Sequence, residues 1–325
     1  WEVELAAPLL HGQQREAQQH AADAAEQARL AQVDLVKWTL AGELQQRVWE
    51  CVERDLMLRL AEQRVDVVGR LTADVRRRVL AGELAEADAL LAQSEWLAAQ
   101  NQRDDALLLR DEAHQQLWVL TGSDLLPDAI DLSKPLQTKM PENKVQQDVF
   151  LQHPRWLASQ SSQALAVAEL ASARQGGAPI SAGVSWLQAR DEADAQDRRL
   201  VGLTMSLPLG RDPRQRSAVA NANAAVTAAM SESEKTRREI LATLQQAIRA
   251  ENNARRQVLQ AEQQAVAAET SLGLSRRAFD AGELDLASIL RVQQTAQEAN
   301  QQRELKKTGL ARAQAALKLA WGQLP

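Results

Sequence analysis

Residues 79–93 read VLAGELAEADALLAQ, and residues 279–293 read FDAGELDLASILRVQ. Both carry Ala-Gly-Glu-Leu, at an offset of 200 residues. At the same offset WEVELAAPL (1–9) lies over VGLTMSLPL (201–209), with Pro8 on Pro208 and Leu9 on Leu209. Ala22, Ala24 and Ala25 fall on Ala222, Ala224 and Ala225, and Leu44-Gln45-Gln46 falls on Leu244-Gln245-Gln246. Beyond the tetrapeptide, Leu90 meets Leu290, Gln93 meets Gln293, Leu117 meets Leu317 and Gly122 meets Gly322. A shared register without gaps marks a tandem duplication. A third Ala-Gly-Glu-Leu at 41–44 has Leu-Ala-Thr-Leu as its partner, so Gly42 is expected inside a helix, where it costs about 1 kcal/mol against Ala.

Proline punctuates each repeat. None occurs between Pro8 and Pro127, or between Pro213 and Pro325, so each tract is free to be helical. The paired glycines split each tract into about 70 and about 40 residues, which at 1.5 Å per residue gives helices of about 100 and 60 Å. Gly82 and Gly282 suit the left-handed conformation that ends a helix, and Glu83, Glu283 and Asp285 suit the positive start of the next. Each pair of helices is expected to form a long antiparallel hairpin, with both tips at the same end. A 3-4-3-4 seam is expected at Leu84, Ala87, Leu91, Ser94 and Ala98, and another at Leu310, Ala313, Leu317 and Ala320.

At the other end the period changes to two. Ile180, Ala182, Val184 and Trp186 alternate with Ser181, Gly183 and Ser185; Val201, Leu203, Met205 and Leu207 alternate with Gly202, Thr204 and Ser206. Trp1, Val3, Leu5 and Ala7 alternate with Glu2, Glu4 and Ala6. Period two means strands, each with one apolar face and one small or polar face. Two readings fit: a soluble sheet covering a core, or part of a barrel with apolar residues toward lipid and polar ones toward a wet lumen. Three strands cannot close a barrel, so the second reading needs several copies of the chain.

Composition narrows the function. Ala, Gln, Leu, Glu and Arg dominate, Tyr is absent and Phe occurs twice, a bias toward long helices. The net charge of −5 is well mixed and has no basic block, which speaks against a nucleic-acid partner. The single Cys51 excludes an internal disulfide, and no run of 18 apolar residues encodes a membrane helix. His11, His20, His114 and His153 are scattered, without metal-ligand spacing. No catalytic constellation or cofactor motif is present, so an enzyme is not expected and the function is expected to be passage and docking.

The duplicated strand–Pro–helix–tip–helix–Gly unit resembles the TolC-type outer-membrane efflux factors. The likeness is carried by SLPLGRDPRQRSAVANANA (206–224), RAFDAGELDLASILRVQQTAQEANQQ (277–302), the repeat endings QLWVLTG (116–122) and ALKLAWG (316–322), and HPRWLASQSSQALAVAELASARQ (153–175). WEVELAAPLLHGQQREAQQ at the start is most similar to the heavy-metal, CzcC-like branch. The resemblance implies a mainly α fold with a small β part: tandem α-helical hairpins forming a coiled-coil α-barrel, and strands contributing to a trimeric transmembrane β-barrel. It implies a homotrimer in the outer membrane of a Gram-negative cell, with a periplasmic extension. Its partners would be a periplasmic adaptor (membrane fusion protein) and an inner-membrane pump of the RND type, with heavy-metal cations as the cargo of that branch. The family has four strands per chain, so a strand is expected to be missing before residue 1. A first repeat is assigned to 1–122, a Pro-containing connector to 123–142 and a second repeat to 143–325, with its strand pair at 179–187 and 199–208.

Carried onto this chain, the resemblance implies adaptor-docking tips at Ala81, Gly82, Glu83 and Leu84 and at Ala281, Gly282, Glu283 and Leu284. Asp88, Asp285, Ser288 and Arg291 are the candidates for the periplasmic constriction. Glu2, Glu4, Ser181, Ser185, Thr204 and Ser206 are the candidate lumen-facing residues. Trp1 and Trp186 suit either an interfacial belt or ordinary packing; Trp38, Trp49, Trp96, Trp118, Trp156 and Trp321 are expected buried between helices. The rival reading is a soluble coiled-coil scaffold without a pore, which has no need of the alternating strands.

Overall fold

A computed structural model describes residues 2–9, 12–123, 150, 152–176, 180–189, 198–207 and 213–324. The order is β1 (Glu2–Leu9), α1 (Gly12–Leu80), α2 (Glu86–Thr121), α3 (Pro154–Gln175), β2 (Ile180–Ala189), β3 (Arg198–Ser206), α4 (Pro213–Asp280) and α5 (Leu286–Ala320). The connector expected at 123–142 lies outside the described residues after Ser123, as does the charged turn between β2 and β3 at 190–197. The fold is mainly α with one small sheet. The chain resolves into two compact units, Trp1–Lys37 with Gln146–Ile240, and Trp38–Val145 with Leu241–Pro325.

In the second unit, α1 and α2 form an antiparallel hairpin whose register is written in its side-chain bonds. Arg47 donates to Gln116 at 2.5 Å, His114 Nε2 meets Asp55 Oδ1 at 3.0 Å, Arg64 donates to Gln102 at 2.6 Å, and Thr72 donates to the Ala92 carbonyl at 3.0 Å. As the α1 partner advances toward the tip, the α2 partner recedes to meet it. Apolar packing follows the same register: Val48 and Cys51 of α1 bury against Ala113 and Leu117 of α2. Burial also pushes the Cys51 thiol pKa up, with Asp55 and Glu50 adding to the shift, which leaves the thiol a packing group.

Glycine marks the ends of the helices. The described residues with positive φ are Gly82, Gly122, Gly282 and Gly322, at φ of 79°, 66°, 77° and 81°, the same two positions in each repeat. Gly42 lies inside α1, as expected, for a reason that only packing reveals: a Cβ there would stand 2.9 Å from Cδ2 of Leu319 on α5.

Two expectations fail. The seam expected at Ala87, Leu91, Ser94 and Ala98 lies on an exposed face of α2, and the buried line runs instead through Ala92, Ala99, Ala113 and Leu117. Ala is small enough to sit on either face, so its spacing barely constrains the phase of the helix. Leu317 and Ala320 of the second seam are buried, while Leu310 and Ala313 are half-buried. Of the helix tryptophans Trp49 alone is buried, and Trp118 is 50% exposed.

The first unit holds the sheet and a capped helix start. His153 is the N-cap of α3, and its Nδ1 accepts from the Arg155 N–H at 3.2 Å. Arg155 itself pairs with Glu239 of α4. Burial, with Arg155 beside it, pushes the His153 pKa down to about 4, against an ordinary value near 6.5. The folded state therefore binds this proton less readily than the unfolded chain, so stability is fully present above about pH 6.5 and falls as pH drops toward 4. Hydrogen exchange in the first turn of α3 should accelerate across that window. His153→Asn keeps a capping side chain without the titration and should flatten the acid-dependent part of the profile.

Candidate functional site: sheet faces and hairpin tips

The sheet has the order β1-β2-β3, antiparallel throughout. Cross-strand partners share a face, so the register sorts the side chains. One face carries the rows Val3–Trp186–Val201, Leu5–Val184–Leu203 and Ala7–Ala182–Met205. The other carries Glu4–Ser185–Gly202, Ala6–Gly183–Thr204 and Pro8–Ser181–Ser206, with Leu187 and Leu200 in the row of Glu2. Glu4, Ser181, Ser185, Thr204 and Ser206 thus share one face with the Glu2 position; the Glu2 side chain and the whole of Trp1 lie outside the described residues.

Both faces are open in the isolated chain: on the polar face Glu4, Ala6, Thr204 and Ser206 are exposed, and the apolar face is exposed as well. Leu203 is 87% exposed, Leu5 77%, Met205 69% and Val3 63%. The polar face is close-packed at its two glycines. A Cβ on Gly183 would lie 3.2 Å from the Ala6 Cβ, and one on Gly202 would lie 2.5 Å from Ser185 Oγ. No described helix is long and apolar enough to cross a membrane. The described residues hold no group of three or more His, Cys, Asp or Glu able to bind a metal ion.

At the tips, the amide of Gly82 donates to the Val79 carbonyl at 2.9 Å and that of Glu83 to Arg78 at 2.9 Å. Gly282 and Glu283 repeat the pattern onto Phe279 and Ala278. This double closure of a helix end requires the left-handed residue at its centre. Ala81, Gly82, Glu83, Ala281, Gly282 and Glu283 are exposed. Leu84 and Leu284 turn inward against Leu71, Val75, Ala92, Phe279, Leu286 and Ile289, a cluster to which α1, α2, α4 and α5 all contribute.

The helices leaving the tips are capped not by Glu83 and Glu283 but by Asp88 and Asp285. In the first repeat Asp88 accepts from the Ala85 N–H at 3.1 Å; in the second, Asp285 accepts from the Ser288 N–H at 3.0 Å. The hydrogen bonds from Ser288 hold the Asp285 carboxyl below the usual carboxylate range. Asp88 and Asp285 are therefore engaged at helix starts, with Ser288 half-buried and Arg291 exposed nearby.

A further contact at the tips is absent from the sequence reading. Arg78 donates to Asp280 at 2.9 Å, also pairs with Asp74 at 3.1 Å, and stands 5.1 Å over the Phe279 ring. It ties the first hairpin to the second just before both turns. Exposed pairs of this kind contribute about 0–1 kcal/mol, and the ring contact adds about 0.5–1 kcal/mol. The duplicated register held a signal for it: Arg78 faces Ala278, and Asp280 faces Leu80.

No family model matches the sequence, and no curated protein matches it. Solved structures do match. The open-state MtrE outer membrane channel of Neisseria gonorrhoeae superposes with a TM-score of 0.79 at 15% identity, over 99% of this chain and 79% of that one. The CmeC outer membrane channel of Campylobacter jejuni gives 0.76 at 15% identity, over 98% and 70%. The outer membrane protein VceC of Vibrio cholerae gives 0.75 at 11% identity, over 99% and 86%. The fold is thus that of outer-membrane channel proteins.

The caps give a test that depends on geometry alone. Asp285→Ala should lower the thermal unfolding midpoint, and adding Ser288→Asp should restore most of the loss by rebuilding the Ala85–Asp88 arrangement in the second repeat. If the double variant is no more stable than the single one, the two caps are not interchangeable. Gly282→Ala should cost about 1–2 kcal/mol, and Gly282→Asn less, because Asn tolerates the left-handed region.

Proposed function

We propose that this protein is the outer-membrane exit duct of a tripartite efflux system. It would act as a homotrimer that pools its strands into a closed barrel and docks a periplasmic adaptor through its hairpin tips. The observation that carries this reading is the sheet, whose register sorts apolar side chains to one face and small or polar ones to the other, with the apolar face uncovered. Leaving Val3, Leu5, Leu203 and Met205 in water forgoes roughly 1–2 kcal/mol for each side chain, whereas lipid would reward the same arrangement. Outward apolar residues, a polar interior and closure of every edge are what a membrane demands of a β structure. A soluble scaffold would cover the apolar face with a core.

The helices support assembly with further copies. Leu30, Val33, Leu40 and Leu44 lie along α1 at heptad spacing and are all exposed, as are Leu259 and Val266 of α4, one heptad apart. Seams of that kind are completed by other helices. The tips offer an exposed Ala-Gly-Glu at each hairpin end, a backbone-defined surface suited to receiving another hairpin end. Asp88, Asp285, Ser288 and Arg291 would stand near the narrow part of the duct, with the Arg78–Asp280 pair holding neighbouring hairpins together. The heavy-metal branch, and with it an RND pump, rests on the sequence likeness of residues 1–19, and Glu4 on the polar face is compatible with cation cargo.

Mass measurement in detergent should return a trimer, and the trimer should conduct ions in a planar bilayer. A monomer or dimer that needs no detergent would hand the reading to the scaffold. Arg78→Ala should raise the single-channel conductance by loosening the tips, while leaving the trimer mass unchanged. In a deletion strain, Gly82→Val and Gly282→Val should reduce export of the cargo; wild-type export by both would remove the tips from the docking assignment.

A further inference from the structure

Side-chain contacts join the helices of the second unit in pairs: α1 to α2 through the register above, α1 to α5 through Glu53 and Arg312 at 3.6 Å, and α4 to α5 through Glu269 and Arg303 at 3.8 Å. The faces of α2 and α4 turned away from their buried residues are bare. On α2, Leu90, Ser94, Leu97, Asn101, Asp104 and Leu108 are spaced three and four apart and are all exposed. On α4, Arg256, Leu259, Gln263, Val266 and Thr270 have the same spacing and are all exposed. Leu97 is 47% exposed and Val266 61%. A line of this period is a seam that a further helix completes.

The two lines match each other height by height. Measured from the tip glycines, Ser94 lies twelve residues past Gly82 and Thr270 twelve before Gly282. Leu97 and Val266 lie at fifteen and sixteen, and Asn101 and Gln263 both at nineteen. Hydroxyl thus stands level with hydroxyl, aliphatic with aliphatic and amide with amide. The charges alternate along the same seam. Asp104 and Asp111 lie at twenty-two and twenty-nine, with Arg256 between them at twenty-six and Arg249 beyond them at thirty-three. One helical turn rises 5.4 Å, so each arginine stands within about a turn of an acid. The acids also touch Arg103 and Arg110, their own neighbours in sequence, in exposed pairs of the kind that contribute little. Arg256 reaches Asn253 at 3.4 Å, and neither it nor Arg249 forms an ion pair with a described residue. Two α2 faces set side by side with their tips level would oppose acid to acid, and two α4 faces would oppose arginine to arginine. We propose that the exposed face of α2 packs antiparallel on the exposed face of α4 of a second copy of this chain, with the tips of both copies at one end. Two different surfaces meet, so the contact is head to tail and ends by closing a ring. The proposal rests on the homotrimer of the duct reading for its ring of three, and adds which faces meet and in which register.

The test is cross-linking of the detergent-solubilised full chain with a short bis-maleimide. Cys51 is fully buried, and the unaltered protein controls for it. Leu97→Cys/Val266→Cys should give a covalent trimer on a denaturing gel, and Asn101→Cys/Gln263→Cys should do the same, while each single variant stays monomeric. Leu97→Cys/Arg249→Cys, whose positions differ in height by about 27 Å, should yield at least tenfold less trimer. Every replaced side chain is exposed, and the second matched pair decides should one variant misfold. A cross-link closed within one chain, a dimer from Leu97→Cys alone, or equal yields from matched and mismatched pairs would overturn the proposal. So would failure of both matched pairs in a preparation whose mass is trimeric, a result that leaves the duct reading standing. A monomeric mass without any cross-link would remove the proposal and the homotrimer together.

Discussion

A strand inside a sheet has backbone partners on both edges, and among the described residues β1 and β3 each have a partner on one edge only. In water that shortfall is tolerable, because solvent satisfies the open amides and carbonyls; in hydrocarbon each unsatisfied group costs several kcal/mol. The apolar face of this sheet, with Leu5 and Leu203 at its centre, favours hydrocarbon. The two demands would conflict in a single chain placed in a membrane and would agree if strands from several chains closed on one another, which is the assembly proposed above.

The helices pack with unusual side chains. Ala92, Ala99, Ala113, Ala261, Ala265 and Ala296 are buried where a globular core would carry Leu or Phe. Small residues let long helices approach closely over their whole length, at the cost of little apolar burial per contact. Such walls gain their stability by extension, through many weak contacts in register. Large buried side chains gather at the turns, around Val75, Phe279, Leu286 and Ile289, and recur farther along the helices at Val48, Trp49, Leu117, Ile240, Leu244 and Leu317.

That economy explains which parts of the fold were legible in the sequence. The strands were readable because Val, Leu, Met and Trp alternate against Ser, Thr and Gly, and period two tolerates no phase error. The ends of the long helices were readable from glycines duplicated at one offset. The phase of α2 was not: Ala87, Ala92, Ala98 and Ala99 look alike in a pattern, and only packing separates the two that are buried from the two that are exposed. The acids after the tips were readable as helix-start residues in kind, but the choice between Glu83 and Asp88, or Glu283 and Asp285, depended on where the first turn begins. The Arg78–Asp280 pair joins residues far apart in sequence, whose meeting depends on how two hairpins lie side by side.

The four left-handed glycines also act as a gauge. Gly82 to Gly122 and Gly282 to Gly322 span the same number of residues, so the return arms of the two hairpins are equal in length. A residue added to one arm alone would displace its end by about 1.5 Å and rotate its faces by about 100°. The Leu84 and Leu284 cluster would then come apart on one side only. Insertions and deletions in this architecture are therefore constrained to occur in pairs, one in each repeat, or in whole heptads. Side chains are free to drift under that rule, as the exchanged caps Asp88 and Asp285 have done, while chain length is not. Chain length is thus the conserved measure of such a fold, which is compatible with identities of only 11–15% at TM-scores of 0.75–0.79 to the channels it superposes on.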